Sequence, residues 1–439
     1  MPLRVVQVDL ARGVEPVWTG GRYDAVRALV RHGSVPLGWV HVPADGRAEI
    51  GAGAMREAIA RDLGPRLAAA VYGDPDTPAP PPSETLPPIT VVVCTRDRAE
   101  LLEGCLAALA ALDYPEYEVL VVDNAGRTAD TALLAERRGV RYVREERPGL
   151  DWARNRGIAA ARHEVVAFTD DDARPDPLWL RAIGAAFVDP AVMAVTGPLA
   201  PVELETAAQI HVELVSNGMA HGFARRQVQR AELTDEQLLR ASAFGVGANM
   251  AFRRAVFADV RPFDPALGAG TASGGGGDVE LLHRLVARGH TLVYEPAALV
   301  WHLHRRDFGS LRRLTFDNGR SFACYLYTCW RNRTVSRNAI ARFFLLTWVG
   351  GGIVRRVVRP KRDRRHLALL ELLGVALSPY YYRAARAQAR RAAGLARDAR
   401  DTPPRVFLIH GDAPPRDAPA APLPDGGRPT EASAPATPR

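Results

Sequence analysis

The sequence predicts an α/β fold with a mostly parallel, Rossmann-like sheet between residues 89 and 310. Continuous apolar runs such as residues 89–94 are typical of parallel strands that are buried on both faces. A segment with apolar residues at helical spacing follows this run, over residues 99–112. The alternation of the two patterns indicates βαβ units and therefore a parallel sheet.

Further strands and helices follow in the same alternation. Residues 117–122 form the second buried run, and a short third strand is predicted at 141–144. A helix is predicted over 151–161, a fourth strand over 165–169 and a late strand over 291–294. Sheets of this kind bind ligands at the edge where their strands end, so we expect a site there.

The segments outside this core have compositions of their own. Residues 1–72 mix short alternating runs with a helix-like stretch, which predicts a small α+β module of unknown role. A proline-rich linker is predicted for 73–88 and a helical region for 311–400. Residues 401–439 have few large apolar side chains, and we expect a disordered tail.

The formal charge of +8 could indicate a nucleic-acid partner. Every basic residue except Lys361 is an arginine, however, and this skew is more typical of a coding bias than of a basic groove. We therefore expect no nucleic-acid partner, although the charge favours phosphates and acidic membrane surfaces. Apolar residues make up 47% of the chain, which is enough for a substantial buried core.

Cysteines and hydropathy predict the cellular location. The four cysteines form no C-x-x-C pair and the amino terminus carries no secretion signal, so we expect a cytoplasmic protein with free thiols. The uncharged run 343–354 has 12 residues, whereas a membrane-spanning helix needs roughly 20. A basic cluster follows at 355–365, so this region either contacts the inner face of the membrane peripherally or packs on the core.

Polar residues follow three of the predicted strands. Residues 95–98 follow the first strand, Asp123 and Asn124 follow the second, and three consecutive aspartates follow the fourth at 170–172. Because parallel strands end at the same edge of a sheet, these residues should converge.

The three consecutive aspartates predict a metal site. Their carboxylates repel one another, and without a counterion one of them would take up a proton. Mg²⁺ or Mn²⁺ removes the conflict, because such cations bind few carboxylates and fill their shells with phosphate oxygens and water. The alternative is a cap for the helix predicted near Pro177, but a cap needs one aspartate rather than three.

Four stretches carry ordered motifs: I-T-V-V-V-C-T-R-D-R at 89–98, Y-E-V-L-V-V-D-N at 117–124, P-G-L-D-W-A-R-N-R-G at 148–157 and V-V-A-F-T-D-D-D at 165–172. They resemble the family-2 glycosyltransferases, which have the GT-A fold. The resemblance covers about half of the chain. Each motif is weak alone, but the ordered set is specific. It implies an enzyme that uses a nucleotide diphosphate-sugar donor.

The resemblance also implies roles for residues that would bind the nucleotide-sugar. Thr95, Arg96 and Asp123 would contact the nucleoside, with Asp123 accepting hydrogen bonds from the base or the ribose. Arg154 and Asn155 would approach the nucleotide. For Arg154 the alternative is an ordinary residue on a helix surface.

Asp170 and Asp172 match the outer positions of the D-x-D motif. The resemblance implies that Asp172 ligates the metal and that Asp170 holds ribose or metal-bound water. A histidine just after the core usually makes a further metal or diphosphate contact in the family, and His302 fits best, with His304 second. The predicted metal site is therefore Asp170, Asp172 and His302. Residues 305–306 are arginines that could clamp the diphosphate or be solvated.

A run of four glycines at 274–277 precedes Asp278 at the start of a predicted helix. Glycines could leave the backbone free to close over a substrate. Many family members have Glu-Asp here, with the aspartate as the catalytic base, and the resemblance implies this role for Asp278. Gly277 departs from that pattern. Glu280 is the second choice for the base, and a helix cap is the alternative for Asp278.

Together these features predict metal-dependent, inverting transfer of a sugar to an acceptor hydroxyl. The hydroxyl must lose its proton during the attack, and the metal offsets the charge that develops on the leaving diphosphate. One base opposite the leaving group predicts inversion, because retention needs a second carboxylate as nucleophile. We expect a glycan or a lipid-linked acceptor and a role in cell-envelope or other glycan synthesis.

Two alternatives remain open at this point. A non-catalytic nucleotide-sugar-binding protein or a membrane-associated scaffold could keep the fold without the base, and Gly277 keeps that alternative open. A nucleotidyltransferase would share the sheet and the acidic metal ligands. It typically has a glycine-rich phosphate loop with a lysine after the first strand, and residues 95–98 contain no lysine.

Overall fold

The computed structural model describes residues 2–72, 81–215, 221–358 and 362–398. They form an amino-terminal module, a central α/β domain and a carboxyl-terminal helical region. The predicted tail at 401–439 and residues 73–80 of the predicted linker lie outside the described residues.

The amino-terminal module consists of two small sheets and a helix. Its elements are β1 Leu3–Asp9, β2 Val17–Trp18, β3 Ala25–His32, β4 Val35–Pro43, β5 Glu49–Ile50 and α1 Ala52–Tyr72. Strand β3 pairs in parallel with β1 and antiparallel with β4. Met55, Ile59 and Leu63 recur at helical spacing on α1 and are buried in the module's apolar cluster. The module therefore has a small core of its own.

The module packs against the central domain through aromatic and charged side chains. Trp39 of β4 meets Trp301 edge to face, with the ring centroids 6.5 Å apart. Arg31 of β3 donates a hydrogen bond of 2.9 Å to Asp176, whose side chain is buried. The contact with Trp301 places β4 beside the strand Val300–His302, whose last residue is His302.

The central domain contains a sheet of eight strands with the order β13-β15-β11-β14-β9-β6-β7-β8. In chain order its elements are β6 Ile89–Thr95, α2 Ala99–Ala110, β7 Tyr117–Asn124, α3 Asp130–Arg137, β8 Arg141–Glu145, α4 Leu150–Ala160, β9 Val165–Asp170, β10 Ala173–Pro175, α5 Trp179–Phe187, β11 Val192–Thr196, β12 Leu199–Pro201, α6 Ala207–Ile210, β13 Arg226–Val228, α7 Asp235–Leu239, β14 Asn249–Arg253, α8 Gly277–Ala287, β15 Thr291–Tyr294 and β16 Val300–His302.

Most pairs in the large sheet are parallel, as the sequence predicts. Strand β6 lies between β7 and β9, β8 extends the sheet beyond β7, and β11 pairs with β15. Strand β14 is the exception inside the sheet, because it runs antiparallel to both β9 and β11. The edge strand β13 is also antiparallel to its neighbour. The predicted α/β class with a mostly parallel sheet is confirmed.

Apolar side chains cover both faces of the large sheet. Val92 of β6 belongs to the apolar cluster on one face, whereas Val91 and Val93 belong to the cluster on the other. Successive side chains of a strand point to opposite faces, so a strand buried on both faces needs an unbroken apolar run. This is the physical reason why the sequence of β6 identifies it as a central strand.

A smaller sheet brings together two segments that are far apart in the chain. It has the order β10-β16-β12, and Ala173 of β10 lies opposite His302 of β16. Asp172 directly precedes β10. The pairing therefore carries His302 to the carboxyl end of β9, where the three aspartates stand.

The carboxyl-terminal region is helical, with α9 Phe308–Asn332, α10 Arg337–Arg342, a π-helical segment Phe343–Val354, α11 Arg355–Val358 and α12 Arg362–Asp398. Helices α9 and α12 approach each other so closely that a Cβ atom on Gly319 would overlap the backbone carbonyl of Glu371. A Cβ on Gly374 would likewise overlap the carbonyl of Phe316. Two glycines therefore permit this backbone-to-backbone packing.

Apolar side chains are exposed in this region, among them Leu345 and Leu346 of the π-helical segment. Within the described ranges, none of the helices combines the length and the apolar character that crossing a bilayer requires.

Candidate active site

Three predicted metal ligands lie together at the carboxyl end of β9. Asp170 ends the strand, Asp172 follows it, and His302 reaches them from the end of β16. One ligand atom of each residue lies within 4.8 Å of the other two. His302 Nε2 is 3.4 Å from Asp172 Oδ1. Two carboxylates and an imidazole in this arrangement are suitable donors for Mn²⁺ or Mg²⁺.

The middle aspartate has a different environment. Asp171 is buried and accepts a hydrogen bond of 2.7 Å from Thr95 Oγ1, and Arg98 Nη1 lies 2.6 Å from its other oxygen. Burial raises the pKa of Asp171 to about 7, although Arg98 and Thr95 oppose the shift. The chain therefore turns Asp171 inwards and leaves Asp170 and Asp172 beside His302.

Arg98 is a residue of the site that the sequence reasoning missed. Its second terminal nitrogen donates a hydrogen bond of 2.7 Å to Asp172 Oδ2. Burial acts to raise the pKa of Asp172, but His302 and Arg98 outweigh it and hold that pKa well below its usual range. Asp172 is therefore ionised at neutral pH. Two arginine nitrogens that each bind a different aspartate fix the turn after β9.

The helix-cap alternative for the aspartates at 170–172 is wrong. Helix α5 begins at Trp179, and the backbone N–H of Leu178 donates to Asp176 Oδ1 at 3.1 Å instead. The three consecutive aspartates therefore do not cap α5, and their side chains make the contacts described above instead.

Asp278 lines the same cavity as two of the predicted metal ligands, Asp170 and His302. This cavity has a volume of about 290 Å³, and its lining includes Arg154, Asp170, Asp278 and His302. Asp278 Oδ2 accepts a hydrogen bond of 2.7 Å from the backbone N–H of Gly247. The carboxylate is consequently fixed towards the cavity rather than used as a cap for α8, which has a glycine at its N-cap.

Arg154 is the buried cation of the site. Its Nη1 lies 3.2 Å from Asp151 Oδ1, and its Nη2 lies 4.0 Å from Asp170 Oδ1. Burial alone would lower the pKa of Arg154, but the charges of Asp151, Asp278 and Asp170 outweigh it and raise the pKa. Arg154 thus lies among three carboxyl groups and lines the cavity. This position differs from that of an ordinary residue on a helix surface.

Asp151 is a second residue that the sequence did not single out. Its side chain is fully buried, and its Oδ2 has no hydrogen-bond partner among the described residues. Burial raises the pKa of Asp151 to about 7, with Arg154 opposing the shift and Asp278 adding to it. A Cβ atom on Gly277 would overlap this oxygen. The glycine that departs from the family's Glu-Asp pattern is therefore required by the neighbouring carboxyl group.

Three of the four glycines at 274–277 are packed against neighbouring residues, whereas a Cβ on Gly275 would meet open space. Gly274 and Gly276 have φ angles of 88° and 97°, which only glycine adopts readily. A Cβ on Gly274 would overlap the guanidinium of Arg320, and one on Gly276 would lie 3.4 Å from the carbonyl of Ser321. Both neighbours belong to α9. The glycines thus let α9 approach the loop before Asp278, which differs from the expected freedom to close over a substrate.

The predicted nucleoside contacts differ in accessibility. Asp123 is fully buried and accepts hydrogen bonds from Tyr142 Oη at 2.9 Å, Gly126 N at 3.1 Å and Arg144 Nη1 at 3.3 Å. Burial and the hydrogen bond to Asp123 raise the pKa of Tyr142 to about 12. A base or ribose could reach Asp123 only by displacing these partners. The side chain of Arg96 is 47% exposed at the sheet edge and is open to a ligand.

Two predicted residues point elsewhere. Asn155 exchanges two hydrogen bonds with the backbone of Phe263, of 2.9 and 3.0 Å, and does not line the cavity, so this geometry does not support its predicted nucleotide contact. Glu280, the second choice for the base, is buried against Arg284 at 2.8 Å. Its carboxylate is occupied by that ion pair, which leaves Asp278 as the better candidate.

The arginines after β16 make no contact with the predicted metal ligands. Arg306 forms two hydrogen bonds of 2.7 Å with the carboxylate of Glu203. Arg305 is exposed. Neither position supports the clamp suggested for the diphosphate.

Comparison with known proteins identifies the class of protein as a glycosyltransferase. Residues 90–261 match the sequence model of the family described as Glycosyl transferase family 2. Over this segment the match agrees with the resemblance that the ordered motifs carry. The matched segment includes the aspartates after β9 but ends before Asp278 and His302.

Curated relatives carry the same class of name. Glycosyltransferase AglE of Haloferax volcanii is 28% identical over 251 residues, which are 54% of this chain and 74% of that protein. The pre-mycofactocin glycosyltransferase of Mycobacterium tuberculosis is 27% identical over 272 residues, which are 60% of this chain. The chain spans half the length of that second relative.

Solved structures include a mannosyltransferase of Pyrobaculum calidifontis in complex with GDP-Man and Mn²⁺. It is 21% identical, and the alignment covers 80% of this chain and 98% of that one, with a TM-score of 0.45.

Proposed function

We propose that this glycosyltransferase uses a divalent cation and transfers a sugar from a nucleotide diphosphate to an acceptor hydroxyl with inversion. One observation carries the proposal: the carboxylate of Asp278 opens into the same cavity as Asp170 and His302. A base and a set of cation ligands thus share one space, as an attack on a metal-bound donor requires.

The residues at the end of β9 fit Mg²⁺ or Mn²⁺. Asp170, Asp172 and His302 would hold the cation, since their ligand atoms already lie within 4.8 Å of one another. Asp172 is ionised because His302 and Arg98 hold its pKa low, so this carboxylate has no proton to lose when a cation binds. When bound, the cation would offset the charge that develops on the departing diphosphate.

The protein's own groups would then act on the acceptor. The hydrogen bond from Gly247 to Oδ2 fixes the carboxylate of Asp278, and Oδ1 is left to accept the proton of the attacking hydroxyl. Arg154 places a buried positive charge in the same cavity, which favours a phosphate group there. A single base predicts inversion at the anomeric carbon.

The structure weakens the main argument for the scaffold alternative. It depended on Gly277, and the overlap that any Cβ there would make with Asp151 gives the glycine a packing reason unrelated to loss of activity. The kind of acceptor, a peripheral membrane contact and a cytoplasmic location stay predictions from the sequence.

The experiment that tests the proposal is a donor panel with active-site variants. We would incubate UDP-, GDP- and dTDP-sugars with Mn²⁺ or Mg²⁺ and measure release of the nucleotide diphosphate. We expect Asp172→Ala to abolish metal-dependent release and Asp278→Asn to slow turnover by about 10²–10⁴-fold while donor binding persists. Asp45→Asn is a matched control, because Asp45 is 65% exposed in the amino-terminal module.

Either of two results would contradict the proposal. Failure to bind any donor with either cation would favour the scaffold alternative. Retention of configuration, seen by NMR of the newly formed glycoside, would exclude a single displacement with Asp278 as the base.

A further inference from the structure

A row of buried polar side chains connects the amino-terminal module to His302. Arg27 of β3 donates a hydrogen bond of 2.7 Å to Glu213 Oε1. Glu213 Oε2 lies 3.5 Å from His304 Nε2, which is a long contact. His304 Nδ1 lies 3.2 Å from His302 Nδ1. The side chains of Glu213 and His304 are buried, at 3% and 1% exposure.

The carboxylate at one end of this row sets the direction of the hydrogen bonds. Glu213 Oε1 accepts from the guanidinium of Arg27, which has donors only. A carboxylate paired with a guanidinium accepts hydrogen bonds on both oxygens, so the contact at Glu213 Oε2 is made by an N–H on His304 Nε2. In that tautomer the Nδ1 of His304 carries a lone pair and accepts.

The same logic fixes the tautomer of His302. Since His304 Nδ1 accepts, His302 Nδ1 must donate, and the Nε2 of His302 is left with its lone pair. That nitrogen is the one that faces Asp172 Oδ1 at 3.4 Å. A neutral imidazole whose other nitrogen donates a hydrogen bond is the form that ligates a metal.

We propose that Glu213 and His304 are positioning residues that present His302 Nε2 to the cation, and that Arg27 makes the amino-terminal module part of this support. The inference rests on the proposed function, because it assumes that His302 binds the cation. The amino-terminal module then helps to form the cation site. Arg27 keeps Glu213 in place, and the guanidinium of Arg27 packs over the ring of Trp39 at 4.6 Å.

The test measures cation binding without turnover. Binding of Mn²⁺ to the full chain would be followed by electron paramagnetic resonance, with the unfolding temperature recorded for each variant. We expect Glu213→Ala to weaken Mn²⁺ binding about 10–100-fold. Glu213→Gln keeps an oxygen that can accept from His304, so it should bind within a few-fold of the wild type.

Two further variants separate this role from general docking of the module. Arg27→Met should weaken Mn²⁺ binding less than Glu213→Ala does, because the carboxylate itself remains. Arg22→Ala is the matched control, since Arg22 also joins the module to the central domain, through a bond of 2.5 Å to Glu205, but lies outside the row. We expect it to bind Mn²⁺ like the wild type. Arg27→Met keeps the proposal testable if Glu213→Ala does not fold.

A spectroscopic signature checks the histidine directly. Electron spin echo measurements on bound Mn²⁺ should show coupling to an imidazole nitrogen in the wild type, and the coupling should be reduced in Glu213→Ala. Unchanged affinity and unchanged nitrogen coupling in Glu213→Ala and Arg27→Met would overturn the inference alone. A wild type that binds neither Mn²⁺ nor Mg²⁺ would overturn the proposed function as well, so the two failures are distinguishable.

Discussion

Replacing Asp151 with asparagine should change how the stability of the protein depends on pH. The carboxyl group of Asp151 is fully buried, and its pKa is raised from 3.8 to about 7. The folded state therefore holds a proton that the unfolded chain releases near pH 4. This contribution to stability is fully present below the unfolded pKa and is lost as the pH rises through about 7.

The size of the effect follows from that difference of about three pH units, each worth about 1.4 kcal/mol. The bound proton thus contributes about 4 kcal/mol to the free energy of unfolding at low pH, and about 2.5 kcal/mol of this contribution is lost between about pH 5 and pH 8. Asparagine resembles the protonated carboxyl group and does not titrate. As the pH rises from about 5 to 8, we expect the free energy of unfolding of Asp151→Asn to increase by about 2.5 kcal/mol relative to that of the wild type.

Urea denaturation at several pH values measures this difference. Groups that titrate in both proteins, such as Asp171, cancel when the variant is compared with the wild type. Asp45→Asn should show no such trend, because Asp45 is exposed. If the free energies of unfolding of Asp151→Asn and the wild type differ by the same amount from about pH 5 to pH 8, Asp151 is not a buried, protonated carboxyl group and the reasoning is refuted.

Two glycine substitutions test the packing around the candidate base. Gly247→Ala would put a methyl group 2.8 Å from Asp278 Oδ2 and against Arg154, so we expect donor turnover to fall at least about tenfold with little loss of stability. Wild-type turnover in that variant would mean that the carboxylate tolerates displacement. Gly277→Ala would press a methyl group onto Asp151 and should lower the free energy of unfolding by about 1–3 kcal/mol. Adding Asp151→Gly should recover part of the loss in urea denaturation, and an undiminished loss would contradict the proposed overlap.

The sequence predicted those parts of the site that depend on local patterns. The unbroken apolar run of β6 identifies a central strand because both of its faces are covered. Strand ends in a parallel sheet share an edge, so the positions of Asp123 and Asp170 could be expected before their contacts were known. Asp170 is the last residue of β9 and Asp123 the last but one of β7, so both lie at the carboxyl ends of strands, as expected.

The missing parts depend on contacts between distant segments. Glu213 lies 91 residues before His304 in the chain, and no periodicity connects them. Arg98 could be recognised only as an arginine in a loop, since its two aspartate partners are set by the turn after β9. The two hydrogen bonds of Asn155 to Phe263 likewise depend on where a segment 108 residues away is packed.

The close packing of α9 against the glycine run affects how this protein can be divided for laboratory work. The segment that matches the family ends at residue 261, yet Asp278 lies in the first turn of α8, and the loop before that helix is supported by Arg320 and Ser321. Helix α9 is in turn pressed against α12 through Gly319. A fragment trimmed to the family segment would lose both the loop and its support. The smallest useful expression product therefore extends at least through α12, well beyond residue 261, where the family match ends.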